Sequence, residues 1–210
     1  MPIRINNKDV ESTINTAETS SPGFHTGAYY MADNPTYWEP QRTNNFEFIV
    51  PGLAAKLPAI VNNTYAKTNA DEVLRLAVEE SSVPHFSLGV IEIQRGNTKI
   101  KYAGVPTFEA GSLTVNDWIG AGVKDVLHAW QRKAFDVRTE KIGIASDYKL
   151  DYAYLQELTP DSQVVRTWKM YGVWVSEVSE GNYNHASEGV QKVSVAFQYD
   201  KADIDTDDIA

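Results

Sequence analysis

The sequence has no cysteine at any of its 210 positions. Disulfide bridges, thiolate metal sites and cysteine nucleophiles are therefore all excluded. Long hydrophobic runs are also missing, since the longest nearly apolar stretch, residues 48–55, is interrupted by Pro51 and Gly52 and is far too short to cross a bilayer. The first four residues lack the apolar segment of a secretory signal. These absences predict a soluble chain with no membrane association and fit a cytosolic origin.

Positive charge is the next feature in short supply. The chain has 28 Asp and Glu against 19 Lys and Arg, a formal charge of −9. Residues 199–210 alone hold five acids and one base, so we predict that residues 202–210 form a solvated acidic tail. An acidic protein repels the phosphate backbone, which argues against ordinary DNA or RNA binding. The 42% hydrophobic content is enough to bury a core.

Residues 1–44 show no sustained hydrophobic period. They are rich in Asn, Thr, Ser and Pro and carry the aromatic residues Tyr29, Tyr30, Tyr37 and Trp38. This composition predicts an N-terminal arm rather than a core element. Our hypothesis is that the arm is poorly ordered in a free subunit and becomes ordered against neighbouring subunits. The alternative is that it packs on its own domain.

Strands are predicted where hydrophobic residues alternate. Residues 46–50 alternate and stop at a Pro-Gly turn. Residues 86–93 alternate with a change of phase beside Gly89, which predicts a β-bulge. Gly96-Asn97 is a two-residue hairpin signal, and residues 99–102 supply the return strand.

Residues 74–80 are ambiguous. Their alternation favours a strand, and a helix over residues 71–80 is the alternative. On a strand, Glu79 and Glu80 point to opposite faces and cannot form an acid–base pair.

A single apolar stripe at helical spacing predicts one α-helix near the middle of the chain; its members are Ile119, Val123, Val126, Leu127 and Trp130. Asn116 or Asp117 is expected to cap the start of this helix. Trp130 completes the stripe and is predicted to anchor the core.

Hydrophobic residues alternate again in the last third of the chain, over residues 150–154, 165–174 and 192–199. Trp174 ends one of these strands and is also predicted to be a core anchor. The final strand is the clearest, with Val193, Val195, Phe197 and Tyr199 on one face and Lys192, Ser194, Ala196 and Gln198 on the other. We predict a mainly β (α+β) domain over residues 45–201, an antiparallel sandwich or barrel with one flanking α-helix.

Sequence signals for catalysis are weak. Gly120-Ala-Gly122 imitates a dinucleotide fingerprint, but Asp125 stands where the third glycine is needed. No histidine has another histidine or an acid at a recognised metal-ligand spacing; the four are His25, His85, His128 and His185. Nucleophile elbows and phosphate-loop motifs are absent. We therefore predict no enzyme, and no catalytic, cofactor-binding or metal-binding residues.

Five features follow one another in a specific order: Asn45-Phe-Glu-Phe48, a helix ending Trp130-Gln-Arg-Lys-Ala-Phe135-Asp136, Gly143 before Tyr148-Lys149, Tyr171-Gly172-Val-Trp174, and Val193-Ser-Val-Ala-Phe-Gln-Tyr199-Asp200. In this order the chain resembles the tail tube proteins of contractile-tailed bacteriophages and their relatives in pyocins. It differs in having Tyr171 where these proteins often have Leu, and Val175 where they often have Pro.

The resemblance implies that subunits form hexameric rings, which stack into the inner tail tube, the conduit for DNA ejection. Central sheets would join edge to edge around the lumen, with the polar side of the last strand facing it. Implied partners are other copies of the chain, the tail sheath, and baseplate or terminator proteins, with DNA passing through unbound. The expected location is the virion, after assembly in the host cytoplasm.

Two alternatives remain open. A type VI secretion or pyocin-like tube protein would have the same fold and ring geometry. A monomeric β-sandwich binding module would instead use exposed Tyr and Trp side chains.

Overall fold

The computed structural model describes residues 38–57, 69–185 and 188–205. The chain divides into two compact units, residues 1–42 and 43–210. Tyr29, Tyr30 and Tyr37 of the predicted arm lie outside the described residues, as do residues 58–68 and 206–210. Within the described ranges, no helix is both long and apolar enough to span a membrane.

Antiparallel strands make up about half of the described residues of the second unit. The strands are β1 (Phe46–Ile49), β2 (Val78–Ser81), β3 (Phe86–Arg95), β4 (Thr98–Phe108), β5 (Gly111–Asn116), β6 (Phe135–Asp136), β7 (Lys141–Ile142), β8 (Leu150–Leu158), β9 (Val164–Glu180), β10 (Lys192–Gln198) and β11 (Lys201–Asp205). The helices are α1 (Leu53–Lys56), α2 (Ala70–Ala77), α3 (Val123–Ala134) and α4 (Ala145–Tyr148).

The long strand β9 belongs to two sheets. Its first part, as far as Val173, pairs with β8 on one side and β11 on the other, and β8 pairs with β1. Its second part, from Trp174 to Glu180, pairs with β10, which continues to β5 and β2. We call the first group sheet I and the second sheet II. The hairpins β3–β4 and β6–β7 lie outside both sheets.

Gly172 marks the corner between the two sheets. Its φ of 67° lies in the left-handed region, where residues with a Cβ are strained. A Cβ at this position would also lie 2.2 Å from Oδ2 of Asp200. The amide of Asp200 donates to the carbonyl of Tyr171 at 2.8 Å, and Lys149 Nζ contacts the Asp200 carboxylate at 2.7 Å. The sequence step Gly-x-Trp therefore encodes a bend with a carboxylate in close contact.

One core lies between the sheets and the helices. Helix α3 packs against β9, and α2 packs against β1, β5 and α3. The largest fully buried side chains come from sheets and helices alike and are Phe48, Phe197, Leu53, Leu74, Leu127, Met170, Val50, Val115, Val123, Val126, Val173 and Val175. The predicted fold class, mainly β and antiparallel, is confirmed.

The strand predicted for residues 74–80 is present only over residues 78–80, at the start of β2. Residues 70–77 form the helix α2, which the alternative prediction placed over residues 71–80. Val73, Leu74 and Ala77 are buried on one side, whereas Leu76, which the strand pattern placed with Leu74, is exposed. Asn69 caps α2 by accepting from the amide of Asp71 at 3.1 Å. The chain then changes directly from helix to strand at Val78. The sequence over residues 74–80 therefore combines the hydrophobic spacing of a helix with that of a strand.

Helix α3 begins later than its apolar stripe predicted. Gly122, in a left-handed conformation, is the N-cap, and no side chain caps this helix. Ile119 is 94% exposed and does not belong to the buried face. Asp117 instead forms an ion pair with Lys124 at 3.1 Å, so it stabilises the first turn without acting as a cap.

The prediction that Glu79 and Glu80 point to opposite faces of the strand is also wrong. The register of β2 against β5 shifts between Val78 and Glu80, which is a β-bulge. Glu79 pairs with Lys192 at 2.7 Å, and Glu80 accepts from the Thr114 hydroxyl at 3.3 Å. Both carboxylates therefore reach the same side of sheet II.

Two further expectations need correction. Trp174 is half-buried outside the core, with its ring edge-on to that of Tyr148 at a centroid distance of 5.5 Å. The acidic C-terminal segment is not wholly a solvated tail, since β11 extends the sheet to Asp205 and contributes Ala202 to packing against the core. The β-bulge at Gly89, the turn at Gly96-Asn97 and the inward face of β10 are confirmed.

Replacing Trp130 with Ala is expected to lower the free energy of unfolding by about 3–5 kcal/mol, the usual cost of truncating a buried aromatic residue. Its ring is 3% exposed, and its Nε1 donates to the carbonyl of Tyr148 at 2.8 Å. Urea denaturation of the dilute subunit measures the change. The matched control is Trp118→Ala, at a 54% exposed position. Equal losses of unfolding free energy in the two variants would contradict the assignment of Trp130 to the core.

Replacing Gly172 with Ala is expected to cost at least about 1–2 kcal/mol from the left-handed backbone alone. The new Cβ must also displace the Asp200 carboxylate, which weakens its contact with Lys149. Gly120→Ala is the control, because a Cβ there meets nothing within 4 Å. Thermal melting of both variants checks the prediction, and an unchanged melting temperature for Gly172→Ala would overturn it.

Candidate assembly surfaces

The hairpin of β3 and β4, called the ribbon here, is exposed along its whole length. Every residue of β3 is exposed, and in β4 only Gly104 and Phe108 are partly covered. A two-stranded hairpin is marginally stable by itself in water. The ribbon is therefore an element that gains stability from a partner surface.

The outer half of the ribbon has two chemically different sides. Cross-strand partners place four large apolar residues on one side, each between 43% and 54% exposed: Ile91 opposite Tyr102, and Ile93 opposite Ile100. The other side is polar, with Glu92 opposite Lys101 and Gln94 opposite Lys99. Lys99 and Glu92 form an ion pair at 2.8 Å. An apolar side left in water is typical of an interaction surface.

The base of the ribbon is anchored to the core. The Phe86 and Phe108 rings lie 5.4 Å apart, and Phe108 contacts the ring of Tyr199 at 6.2 Å. The Tyr199 hydroxyl accepts from the amide of His85 and donates to its carbonyl, both at 3.3 Å. Burial raises the pKa of Tyr199, so this hydroxyl remains a donor at neutral pH.

A close approach of the two strands fixes the middle of the ribbon. A Cβ on Gly104 would lie 2.9 Å from the backbone of Gly89, so only glycine fits at Gly104 without movement. The register shift falls here, between Leu88 and Val90. The bulge increases the local twist and so turns the outer half of the ribbon relative to its base.

A second apolar surface is a groove where β5 and β9 end and β10 begins. It has a volume of about 700 Å³ and is lined by Asp117, Trp118, Ile119, Gly120, Tyr183, Val190 and Gln191. Four of these side chains are large, apolar and more than half exposed. The groove is therefore a second place where apolar surface is left in water.

A network of charges holds one wall of the groove. Lys124 Nζ donates to the Tyr183 hydroxyl at 2.7 Å and contacts Asp117 at 3.1 Å and Glu180 at 3.3 Å. The Lys124 ammonium also lies 5.1 Å from the Tyr183 ring centroid. His128 Nε2 lies 2.8 Å from Glu180 Oε1. Helix α3 is thereby tied to the end of β9 and to the loop that follows it.

The network shifts two acid–base equilibria. The hydrogen bond with Tyr183, followed by those with Asp117 and Glu180, raises the pKa of Lys124. Contacts from His128 and Lys124 lower the pKa of Glu180. Lys124 and Glu180 are therefore both charged at neutral pH, which favours their ion pair.

A third surface is basic within an acidic protein. An open depression of about 600 Å³ at the end of α3 is lined by Ala129, Arg132, Lys133, Asp136, Val137 and Arg138. Asp136 accepts from the Arg138 amide and the Thr139 hydroxyl, both at 3.0 Å, and these bonds lower its pKa. The three bases are thus only partly offset, and acidic groups are the partners that this depression favours.

Two of the histidines named in the sequence analysis lie in different parts of the fold. His85 lies at the base of the ribbon and His128 beside Glu180, whereas His25 lies outside the described residues. The contact between His128 and Glu180 was missed in the sequence because the two residues lie 52 positions apart. In the described part of the chain, no three His, Asp or Glu side chains converge as metal ligands would. The absence of catalytic and cofactor residues remains a prediction.

Solved structures share this fold at low sequence identity. A chain in the PVC extracellular contractile injection system, sheath–tube complex in the extended state, aligns with a TM-score of 0.56 and 10% identity over 84% of this chain and 95% of the other. A chain in the PVC sheath/tube terminator aligns with a TM-score of 0.56 and 14% identity, covering 79% and 96%. A chain in the six-fold symmetrised baseplate of the anti-feeding prophage aligns with a TM-score of 0.53 and 13% identity, covering 79% and 95%.

The sequence matches no protein-family model and no curated protein sequence. The likeness to solved structures therefore concerns the fold.

Replacing Glu180 with Gln is expected to destabilise the subunit at neutral pH. Because its pKa is lowered in the folded state, Glu180 stabilises the fold above its unfolded-state pKa, and this contribution is lost as the pH falls through the folded-state value. The difference in unfolding free energy between the parent chain and the variant should therefore shrink below a pH of about 4.3.

Urea titrations at several pH values measure this difference. Glu177→Gln is the matched control, since Glu177 lies on the same strand and forms no ion pair with the described residues. A loss of unfolding free energy in Glu180→Gln that does not depend on pH would contradict the predicted role of the network, and so would an equal loss in the control.

The fold of this chain is that of proteins found in contractile injection systems, which confirms the predicted tail-tube-like fold.

Proposed function

We propose that this protein is a structural subunit of the inner tail tube of a contractile-tailed bacteriophage. In this proposal copies assemble as hexameric rings, and the rings stack into the conduit for DNA ejection. The sheath surrounds the tube, baseplate and terminator proteins contact its ends, and DNA passes through without specific binding. The protein is then part of the virion after assembly in the host cytoplasm, and it is not an enzyme.

The ribbon is the observation that carries this proposal. Its apolar side, Ile91, Ile93, Ile100 and Tyr102, is exposed in the single subunit. Burying apolar surface contributes about 25 cal/mol per Å², so these side chains favour association. The ribbon is a separate two-stranded hairpin whose described aromatic contacts with the core lie at its base, and an exposed element of this kind is suited to reach a neighbouring subunit.

The groove is a suitable surface to bind the ribbon of a neighbouring copy. The ribbon and the groove are different parts of the chain, so a contact between them is head-to-tail. Such contacts generate rings when the rotation closes, and longer polymers when it does not.

The comparisons support the same class of protein. The similar chains come from a sheath–tube complex, a sheath/tube terminator and a baseplate. One of these structures is six-fold symmetrised, which is the symmetry that hexameric rings require. The arm over residues 1–44 would then add contacts between subunits.

A second candidate function is the tube protein of a pyocin-like or other injection particle that carries no genome. The observation favouring it is that the similar chains belong to extracellular contractile injection systems and to the anti-feeding prophage. The type VI secretion tube remains within this alternative. Nucleic acid recovered from purified particles would favour the phage, and its absence the injection particle.

Replacing Ile93 and Ile100 together with Thr is expected to prevent ring and tube formation while leaving the subunit folded. The two side chains face each other across the ribbon, and Thr keeps the β propensity while removing apolar area. Size exclusion and electron microscopy measure assembly, and circular dichroism measures folding. The double variant should elute near 23.4 kDa.

The matched control changes the polar side of the same ribbon, as Glu92→Gln with Lys99→Gln, and should still assemble. Tubes of normal length from the Ile93/Ile100 variant would show that the ribbon is not the contact. A parent chain that stays monomeric at every salt and protein concentration would overturn the tube proposal and favour the monomeric binding module.

A further inference from the structure

The basic depression at the end of α3 shares no residue with the ribbon or the groove. Three exposed bases line it, Arg132, Lys133 and Arg138, and none of them forms an ion pair with another described residue. Val137, in the same lining, is 74% exposed. The depression therefore favours a partner that brings carboxylates and an apolar side chain together.

The hairpin β6–β7 continues this character beyond α3. Phe135 stands opposite Ile142, and these side chains are 45% and 81% exposed. Lys141, opposite Asp136, adds a fourth exposed base. Residues 132–142 contain four bases and two acids, a net charge of +2 in a chain whose formal charge is −9.

A segment of complementary composition follows β11 in this chain. Residues 206–210, which lie beyond the described residues, read Thr-Asp-Asp-Ile-Ala. Asp207 and Asp208 supply two adjacent carboxylates, and carboxylates are the groups that guanidinium side chains bind best. Ile209 supplies an apolar side chain that would be buried against Val137.

The depression lies close to the bend of β9. Trp130, near the end of α3, donates from Nε1 to the carbonyl of Tyr148 at 2.8 Å. The next residue, Lys149, contacts the carboxylate of Asp200, which lies beside Gly172. The end of α3 and the start of β11 are therefore at the same end of sheet I.

Strand β11 runs away from that end. It begins opposite Tyr171 and reaches Asp205, a length of about 13 Å at 3.3 Å per residue. Asp207 and Asp208 follow within three residues, a span of at most about 11 Å, so even a reversed chain would not return them along the whole of β11. The direction of β11 therefore favours the depression of a neighbouring copy over that of the same copy.

We propose that the basic depression binds residues 206–210 of a neighbouring copy. Asp207 and Asp208 supply the carboxylates, and Arg132 and Arg138 of the next copy bind them. This inference rests on the proposed function, because a neighbouring copy is present at the depression only in the assembled tube. The contact is head-to-tail, since its two surfaces are different parts of the subunit.

The contact also explains how strongly acidic copies can approach one another. The acidic end of one copy meets a region of net charge +2 on the next, so the local attraction opposes the repulsion between copies that each carry −9. Because charges are screened over about 8 Å at physiological ionic strength, this attraction acts only when the two surfaces are in contact.

Charge reversal on each side tests the pairing. The depression variant is Arg132→Glu with Arg138→Glu, and the tail variant is Asp207→Lys with Asp208→Lys. Each should raise the protein concentration needed for tube formation by at least about tenfold, because like charges then face each other. The four substitutions together should return this concentration to near that of the parent chain. Electron microscopy measures assembly, and circular dichroism checks folding.

The matched control restores the net charge without restoring the pairing. It combines the depression variant with Glu72→Lys and Glu188→Lys, two exposed acids that form no ion pair with the described residues. Assembly of this variant should stay weak. Equal rescue by the control and by the tail substitutions would show that only the net charge matters and would overturn the inference.

Cross-linking distinguishes a neighbouring copy from the same copy. The chain has no cysteine, so copies carrying only Val137→Cys are assembled with size-tagged copies carrying only Ile209→Cys and treated with a short bismaleimide. The expected products are dimers that contain one copy of each variant. In the double variant, Val137→Cys with Ile209→Cys, the expected products are covalent chains of more than two copies.

Two further outcomes would overturn the inference. Internally linked monomers from the double variant, without mixed dimers from the single ones, would place the segment on its own copy. Normal tubes from both reversed variants would leave the depression to a different partner, such as a sheath protein. If the parent chain forms no tube, the proposed function itself fails, and microscopy shows this before any variant is compared.

Discussion

The bend in β9 is the constraint on which the arrangement of this subunit depends. One strand must serve two sheets, and the change occurs at Gly172, where the backbone is left-handed and the Asp200 carboxylate occupies the space of a Cβ. Before the bend β9 pairs with β8 and β11, and after it with β10. The bend therefore determines that the subunit has two outward faces and a shared core, and it positions the edge strand of sheet II.

Long regular elements could be predicted from the sequence, and short or joined ones could not. The alternation in β10 and the turn at Gly96-Asn97 identified their elements correctly because every residue there agrees with one period. The prediction for residues 70–81 failed because a helix and a strand meet there without a loop between them. A bulge in β2 brings the carboxylates of Glu79 and Glu80 to the same side of sheet II, and hydrophobicity alone does not reveal an inserted residue.

The assembly surfaces were harder to predict because periodicity does not report burial. The alternation of Ile91 and Ile93 is the same pattern that β10 shows, yet one strand is exposed throughout and the other supplies the core. The difference is one of pairing: among the described residues β3 pairs only with β4, outside both sheets, whereas β10 lies between β5 and β9 within sheet II. The ion-pair network beside the groove joins residues far apart in sequence, so it also had no local signal.

Charge constrains how such subunits can associate. Copies carrying a formal charge of −9 repel one another, and this repulsion is screened over about 8 Å at physiological ionic strength. Attraction between copies must therefore come from short-range contacts, which are apolar burial, strand pairing and directly paired charges. Many of the exposed large apolar side chains among the described residues lie on the ribbon and in the groove, so apolar burial between copies would act on these two surfaces. A chain with apolar side chains spread over every face would instead favour aggregation without order.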